Sequence, residues 1–170
     1  MTEIVEKSGL RWLWLSLIIF ALDQATKYWT IQALDLYESY EILSFFNFTY
    51  ARNYGAAFSF LGDASGWQKY LFSSIAFIVS GYLIYSLKNN SQSQRWINCA
   101  YALILSGAIG NVTDRLMFGY VVDFLDFDLG FYRWPTFNVA DIAIFIGAAM
   151  MILESFIVKE TKDIKESENE

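Results

Sequence analysis

The sequence predicts an all-α integral membrane protein in which four transmembrane helices carry a small extracytoplasmic β-rich element. Hydrophobic residues make up 55% of the 170 residues and aromatic residues 19%, whereas soluble chains are roughly 45–50% apolar. Two stretches of 18 residues, 70–87 and 96–113, contain no charged residue. This is about the shortest length that spans a bilayer as a helix. The chain length fits one membrane domain, residues 1–170.

The four predicted spans differ in how apolar they are. The first, about 10–29, is the weakest, because Asp23 and Lys27 lie near its end. The second and third are the two uncharged stretches. The fourth, about 136–158, is interrupted by Asp141 and one glutamate. Because no small-residue cleavage site follows the first apolar run, we interpret it as a retained span and not as a signal peptide.

Basic residues and loop composition predict the orientation of the spans. The connection 88–95 is short, polar and free of acidic residues, which favours a cytoplasmic location for this loop and for both termini. The longer connections, about 30–69 and 114–135, then lie on the extracytoplasmic side of the membrane. Pro135 suits the first turn of the fourth helix. The acidic tail, about 160–170, is predicted to be disordered.

The first outer connection is not a plain linker. Residues 40–50, YEILSFFNFTY, are rich in aromatic and β-branched side chains, which predicts short strands. The segment that follows combines glycines, small residues and apolar aromatic residues. We therefore expect a small β-rich element on the outer membrane surface.

The composition excludes several classes of function. The chain has no histidine and a single cysteine, Cys99, so acid–base chemistry would rely on Asp and Glu. One cysteine allows neither a disulfide framework nor a thiolate metal cluster. No basic stripe is present and the net charge is −6, so nucleic acid is not an expected partner. No glycine-rich nucleotide loop is present, and neither a metal nor a cofactor is expected.

Polar residues from three predicted spans converge at one depth, just inside the outer boundary of the membrane. Charged residues at such positions are costly and usually mark function. Asp23 and Lys27 are four residues apart on one helix face, so they can form a structural ion pair. The other members of this layer come from the third and fourth spans and from the outer connections: Asn53, Asn111, Asp114, Arg115, Asp123, Asn138 and Asp141.

Two assignments within and near this layer follow from the residues alone. Asp141 has no basic neighbour in sequence and needs a partner across the bundle, for which Arg115 and Arg133 are both candidates. Asp126 and Asp128 alternate with Phe and Leu. This alternation predicts that both of these aspartates face solvent.

Two neighbouring aspartates can hydrolyse a peptide without a metal or a cofactor. The ionised aspartate takes a proton from water, and the protonated one polarises the carbonyl under attack. A Ser–Lys hydrolase is the main enzymatic alternative, but no serine has a spacing that requires pairing with Lys27 or Lys69. A subunit of a proton-coupled transporter and a structural scaffold are further alternatives, and the scaffold leaves the polar layer unexplained.

Five motifs in chain order resemble the lipoprotein signal peptidase (signal peptidase II) family of aspartic membrane peptidases. The matching segments are DQATK at 23–27, NYGAAFSFL at 53–61, GAIGNVTDR at 107–115, FGYVVDF at 118–124 and FNVADIAI at 137–144. Each motif alone is a weak signal, but five in register are specific. The resemblance covers residues of about 10–158.

The resemblance implies a four-span enzyme of the bacterial cytoplasmic (inner) membrane, with both termini in the cytoplasm, an extracytoplasmic β-cradle and a flexible surface helix. Its active site would lie near the extracytoplasmic surface. The catalytic residues would be Asp123 and Asp141, and Asp114 would be a supporting residue that pairs with Arg115. The remaining site positions implied by the family motifs are Asn53, Gly55, Gly107, Asn111, Asn138 and Ala140.

The resemblance also implies the partners. The substrate would be a prolipoprotein that carries diacylglycerol on a cysteine, and cleavage would occur on the amino side of that cysteine. A globomycin-type peptide inhibitor would wedge between the two aspartates. The enzyme would contact membrane lipid, act as a monomer and need neither a cofactor nor a metal.

Overall fold

The computed structural model describes residues 8–55 and 66–167, with side chains described up to Ile157. A 3-10 turn, Gly9–Trp12, leads into the first long helix. The four helices are α1 (Leu13–Ala33), α2 (Gln68–Asn89), α3 (Arg95–Phe118) and α4 (Val139–Ser167). The three strands are β1 (Ser39–Leu43), β2 (Phe46–Asn53) and β3 (Val121–Phe127).

Three helices are long and apolar enough to cross a membrane, namely α2, α3 and the Val139–Ile157 part of α4. Helix α1 has 21 residues, but Asp23, Gln24 and Lys27 lower its hydropathy. The described residues therefore contain three clear candidate spans, where the sequence predicts four.

The strands form one antiparallel sheet in the order β1–β2–β3. The strands predicted for residues 40–50 are confirmed by β1 and β2, whereas β3 was not predicted. An aromatic contact attaches the sheet to α1, since the ring of Phe48 on β2 lies 4.9 Å from that of Trp29. Within the sheet, the ring of Phe48 lies 5.6 Å from that of Phe124 on β3. This sheet means that the chain is not strictly all-α.

Helix α3 is the centre of the bundle and packs against α1, α2 and α4. Small residues make the contact with α4 close. A Cβ added at Gly107 would lie 2.3 Å from the carbonyl oxygen of Ala140, and one at Gly147 would lie 2.7 Å from that of Ala100. Close backbone approach of this kind is typical of helices packed within membranes. It fixes the start of α4 against the middle of α3.

The first turn and the α2–α3 connection lie at the same end of the bundle. The backbone N–H of Gly9 donates to the carbonyl oxygen of Asn90 at 2.9 Å, and Ser8 forms a β-bridge with Ser91. The sheet lies at the opposite end, because only two residues separate the end of α3 from the start of β3. Gly119 makes the turn between them with φ of +85°, a left-handed conformation that closes the helix.

The ends of α3 and α4 differ from what the sequence predicts. Helix α3 runs to Phe118, five residues beyond residue 113, near which the third span is predicted to end. Pro135 precedes the start of α4 at Val139 and is not in its first turn. The backbone of α4 is helical to Ser167, which includes most of the tail predicted to be disordered. In the first outer connection no surface helix is present among the described residues 34–55 and 66–67, and residues 56–65 lie outside the described part.

Candidate active site

A buried ion-pair cluster joins α1 to α3. The ammonium nitrogen of Lys27 lies 2.8 Å from Asp23 Oδ2 and 3.0 Å from Asp114 Oδ2. The exposed fractions of these side chains are only 3%, 1% and 1%. Asp23 and Lys27 meet because they lie one turn apart on α1. The second carboxylate approaches from α3, so the lysine is held between two helices.

Further hydrogen bonds satisfy the two carboxylates of this cluster. Asp23 Oδ1 accepts the backbone N–H of Ala140 at 2.9 Å, and Asp114 Oδ2 accepts that of Val122 at 3.1 Å. Gln24 Nε2 donates to Asp23 Oδ2 and to Asp114 Oδ1, both at 3.1 Å. The cluster therefore ties the first turn of α4 and the start of β3 to α1. Sequence analysis did not identify the part played by Gln24.

The expected pairing of Asp114 with Arg115 is wrong. Asp114 pairs with Lys27, whereas Arg115 Nη2 donates to the carbonyl oxygen of Gly55 at 2.7 Å. The Arg115 guanidinium also lies 5.4 Å from the ring centre of Phe72 on α2. Arg115 thus connects α3 to α2 and to the segment that follows β2.

Asn138 brings Asp123 and Asp141 together. Its side-chain amide nitrogen donates to Asp123 Oδ1 at 2.6 Å, and its side-chain oxygen accepts the backbone N–H of Asp141 at 3.0 Å. The backbone N–H of Asn138 donates to Asp141 Oδ2 at 3.3 Å. Asn138 therefore caps the start of α4 while contacting both aspartates. One residue between α4 and β3 thus links two acids that are distant in sequence.

Asn111 connects this pair to the ion-pair cluster. Its amide nitrogen donates to Asp141 Oδ1 at 2.8 Å. Its side-chain oxygen accepts from Lys27 Nζ at 3.1 Å and from Asn138 Nδ2 at 3.3 Å. Both polar atoms of this side chain are therefore hydrogen-bonded to Lys27, Asp141 or Asn138.

Asp123 is 1% exposed and lies on β3, outside the helices. Burial, followed by the negative charge of Asp141, raises the pKa of Asp123 to about 8. Side-chain hydrogen bonds from Asn138 and Asn53 and the positive charge of Lys27 oppose this rise. Asp123 is therefore mainly protonated at neutral pH, as expected when two nearby carboxyl groups cannot both ionise.

Asp126 is buried with 0% exposure, so its predicted position in solvent is wrong. It accepts a hydrogen bond from Thr49 Oγ1 at 3.0 Å and forms a two-point ion pair with Arg133. This pair lowers the pKa of Asp126. Asp128 is half-buried and accepts the backbone N–H of Gly130 at 2.9 Å. Because Arg133 is engaged here, it is not the partner of Asp141.

A cavity of about 800 Å³ opens beside Asp141, between α2, α3 and α4. Its polar lining is confined to one end, where Asn53, Asn111, Arg115 and Asp141 lie. The remaining lining is mostly apolar and includes Phe72, Ile75, Ala76, Val79, Ile104, Ala108, Val121, Ile142, Ile144, Phe145 and Ala148. Such a cavity suits an extended apolar ligand with one polar segment at the aspartates.

Among residues 8–55 and 66–167, no group of three or more Cys, Asp or Glu side chains could hold a metal ion.

The predicted site residues outside the two clusters have packing roles. Gly110, about one helical turn after the predicted Gly107, leaves space for Asp23, since a Cβ there would lie 2.6 Å from Asp23 Oδ2. Gly55 accepts from Arg115, and its N–H donates to Asn53 Oδ1 at 2.9 Å.

Comparison with known proteins gives a consistent result. The family model described as "Signal peptidase (SPase) II" matches residues 15–157. A lipoprotein signal peptidase of Psychromonas ingrahamii is 76% identical over 98% of this chain and 96% of its own length. The lipoprotein signal peptidase of Haemophilus influenzae is 52% identical over 92% of each chain.

Two solved structures are similar over most of the fold. A bacterial membrane enzyme solved by the in meso method at 2.3 Å resolution superposes with a TM-score of 0.78 at 30% identity, over 90% of each chain. A second, solved at 1.9 Å, gives 0.73 at 32% identity over 85% of this chain and 91% of its own.

Proposed function

Because the chain belongs to the signal peptidase II family, and is therefore a peptidase that removes signal peptides from prolipoproteins, we propose that Asp123 and Asp141 are its catalytic pair. The observation that carries this proposal is the contact of Asn138 with both aspartates. Two carboxyl groups held by one asparagine, one of which, Asp141, lines the apolar cavity, form a built acid–base pair.

In the proposed mechanism Asp141 is the ionised base. Two N–H donors, from the Asn111 side chain and the Asn138 backbone, stabilise its carboxylate. Asp141 takes a proton from water, and the hydroxyl oxygen attacks the scissile carbonyl carbon. Asp123, protonated beforehand, gives its proton to the carbonyl oxygen.

The tetrahedral intermediate then collapses. The proton held by Asp141 passes to the leaving nitrogen as the C–N bond breaks, and one hydroxyl proton of the intermediate returns to Asp123. The pair ends in its starting protonation state, and one water has been consumed. This cycle uses only groups of the chain and water.

We propose that the substrate carries diacylglycerol on the cysteine that follows the cut, as the family motifs imply. The apolar part of the cavity offers surface for acyl chains or for the signal helix, while the scissile bond lies at the polar end. Asn53 and Arg115 line that end and would contact the peptide backbone. A globomycin-type peptide would compete for the same space between the aspartates.

For topology, we propose that both termini lie in the cytoplasm of a bacterium with the chain in its inner membrane. The contact between Gly9 and Asn90 supports a common side for the N-terminus and the 88–95 connection. The aspartates at the other end would then be extracytoplasmic. Helix α1 would be the fourth span, since its Asp23 and Lys27 are neutralised inside the bundle. The proposed working unit is a monomer in contact with lipid.

A cleavage assay with purified protein in lipid nanodiscs tests the substrate proposal. Two synthetic precursors are compared, identical except for the diacylglyceryl group on the cysteine. We expect release of the signal peptide from the lipidated precursor alone, with the new N-terminus at the cysteine. Equal cleavage of both precursors would overturn the proposed requirement for lipid.

A further inference from the structure

Lys27 makes a contact that a purely structural ion pair does not need. Besides Asp23 and Asp114, its ammonium nitrogen reaches Asn111 Oδ1 at 3.1 Å. An ammonium has three N–H donors and no acceptor. The three oxygens therefore use its full hydrogen-bonding capacity.

This contact determines which way the Asn111 amide points. Because the ammonium can only donate, the side-chain oxygen of Asn111 must face Lys27. Its amide nitrogen then faces the other way and donates to Asp141 Oδ1 at 2.8 Å. In the flipped orientation the amide N–H groups would meet the ammonium, and the amide oxygen would meet the Asp141 carboxylate. Both of those contacts are repulsive.

We propose that Lys27 is a positioning residue for the reaction, which locks the Asn111 amide so that its N–H holds Asp141 as the ionised base. This inference rests on the proposed catalytic pair of Asp123 and Asp141. It gives the buried lysine a role in turnover as well as in packing.

Charged groups from three elements besides its own helix face Asp141 or the lysine behind it. They are Asp23 and Lys27 of α1, Asp114 and Arg115 of α3, and Asp123 of β3. Two carboxylates already offset the charge of Lys27 within its cluster. The charge of Lys27 also acts directly on Asp141, and the oriented amide of Asn111 adds a second route because it lies between them.

Gln24 provides a matched control. It donates to the same two carboxylates as Lys27 but makes no contact with Asn111. The variant Gln24→Leu thus weakens the ion-pair cluster and leaves the proposed lock in place. If Lys27 acts in packing alone, its replacement and that of Gln24 should lower thermal stability to a similar extent. Neither replacement should then change the pH dependence of kcat.

The test measures kcat and KM over a pH series for full-length protein in lipid nanodiscs, with a diacylglyceryl precursor peptide as substrate. The variants are Lys27→Met, the double variant Lys27→Met/Asp114→Asn, its parent Asp114→Asn, and Gln24→Leu. The double variant keeps the net charge of the cluster at −1. Because Asp114 is also neutral in this variant, Asp23 is the only carboxylate of the cluster that loses its ion pair with the ammonium. Size-exclusion chromatography and thermal unfolding report on folding.

For both Lys27 variants we expect the acidic limb of the kcat profile to move to higher pH by about one unit. At neutral pH, kcat should be reduced by up to about tenfold. KM should change little, because Lys27 does not line the cavity. Gln24→Leu should keep the acidic limb of the wild-type enzyme, whatever its stability, and Asp114→Asn should not move that limb to higher pH, because it leaves the Lys27 charge less offset.

A folded Lys27 variant with the wild-type profile overturns the proposal. Failure of both Lys27 variants to fold, while Gln24→Leu and Asp114→Asn fold, assigns Lys27 to the fold alone and also overturns it. Asp141→Asn, measured in parallel, separates this result from the proposed function. If that variant keeps cleaving, the catalytic pair itself is wrong.

Discussion

The side-chain amide of Asn138 donates to Asp123 Oδ1 at 2.6 Å, the shortest contact that this asparagine makes. The same asparagine caps α4 one turn before Asp141. The backbone geometry that starts the helix therefore also sets the position of one carboxyl group relative to the other. Substitutions at the start of α4 should therefore lower the cleavage rate more than they lower the stability of the fold.

Replacing either member of the pair should abolish cleavage. Asp123→Asn and Asp141→Asn each remove the exchangeable proton or the base, and we expect rates at least about 100-fold lower. Both variants should still insert in the membrane, since each asparagine retains a hydrogen-bonding side chain. Rates are measured on a lipidated precursor with purified protein. Retained cleavage by either variant would contradict the proposed pair.

Activity should fall on the alkaline side as pH rises through about 8, where Asp123 loses its proton. Burial and Asp141 raise this pKa above its ordinary value of 3.8, so the folded state binds a proton that the unfolded state has lost. The contribution of Asp123 to the free energy of unfolding therefore decreases as pH rises from about 4 to about 8. A pH series of kcat checks the first effect, and thermal unfolding of wild type against Asp123→Asn checks the second.

Asp126→Asn should keep most of the activity, although it changes a buried carboxylate. Asp126 is held by Thr49 and Arg133, which are not among the hydrogen-bond partners given above for Asp123 and Asp141. An asparagine can still accept from Thr49, so the expected effect is lower thermal stability of the sheet. Cleavage rates for this variant and for Asp123→Asn are compared side by side. Complete loss in Asp126→Asn would mean that the wrong carboxylate of β3 was chosen.

Gly107→Ala should disrupt the contact between α3 and α4. The added Cβ would lie 2.3 Å from the carbonyl oxygen of Ala140, so the helices must separate at the turn that carries Asp141. We expect a loss of about 1–3 kcal/mol in stability together with lower kcat.

Gly81→Ala is the matched control for this substitution. Gly81 lies within α2, and a Cβ there meets nothing within 4 Å. This change should be neutral or slightly stabilising, because alanine favours helix more than glycine does. Similar thermal unfolding and activity for the two variants would argue against close packing at Gly107.

A reporter domain inserted in the 88–95 connection should be active in the cytoplasm. The contact of Gly9 with Asn90 places this connection beside the start of the chain. A reporter inserted at Gly130, in the turn between β3 and α4, should be exported. Exchange of the two signals would invert the proposed topology.

Sequence patterns predicted the elements that depend on local spacing. The uncharged runs gave α2 and most of α3, and the aromatic and β-branched run gave β1 and β2. The sequence pattern does not predict strand β3, because both faces of this strand are buried and its polar residues therefore do not mark a solvent-facing side. For the same reason the alternation around Asp126 predicted exposure where the structure has a buried ion pair.

Partners that are distant in sequence could not be deduced from spacing. The contact of Lys27 with Asp114 requires α1 and α3 to be adjacent, whereas the neighbouring Arg115 suggested a simpler pair. The hydrogen-bond partners of Asp141 are two asparagines, Asn111 and Asn138, and not an arginine. Complementary charge in the sequence therefore does not identify the amides that hold the Asp141 carboxylate.

The cavity between α2 and α4 has a rim that includes Ile75 and Phe145, which are 48% and 75% exposed. A ligand with a lipid anchor can enter the cavity laterally at this rim, without leaving the hydrocarbon region of the bilayer. The encounter of enzyme and precursor then becomes a two-dimensional search, whose speed follows the number of precursors per unit of membrane area and the fluidity of the lipid.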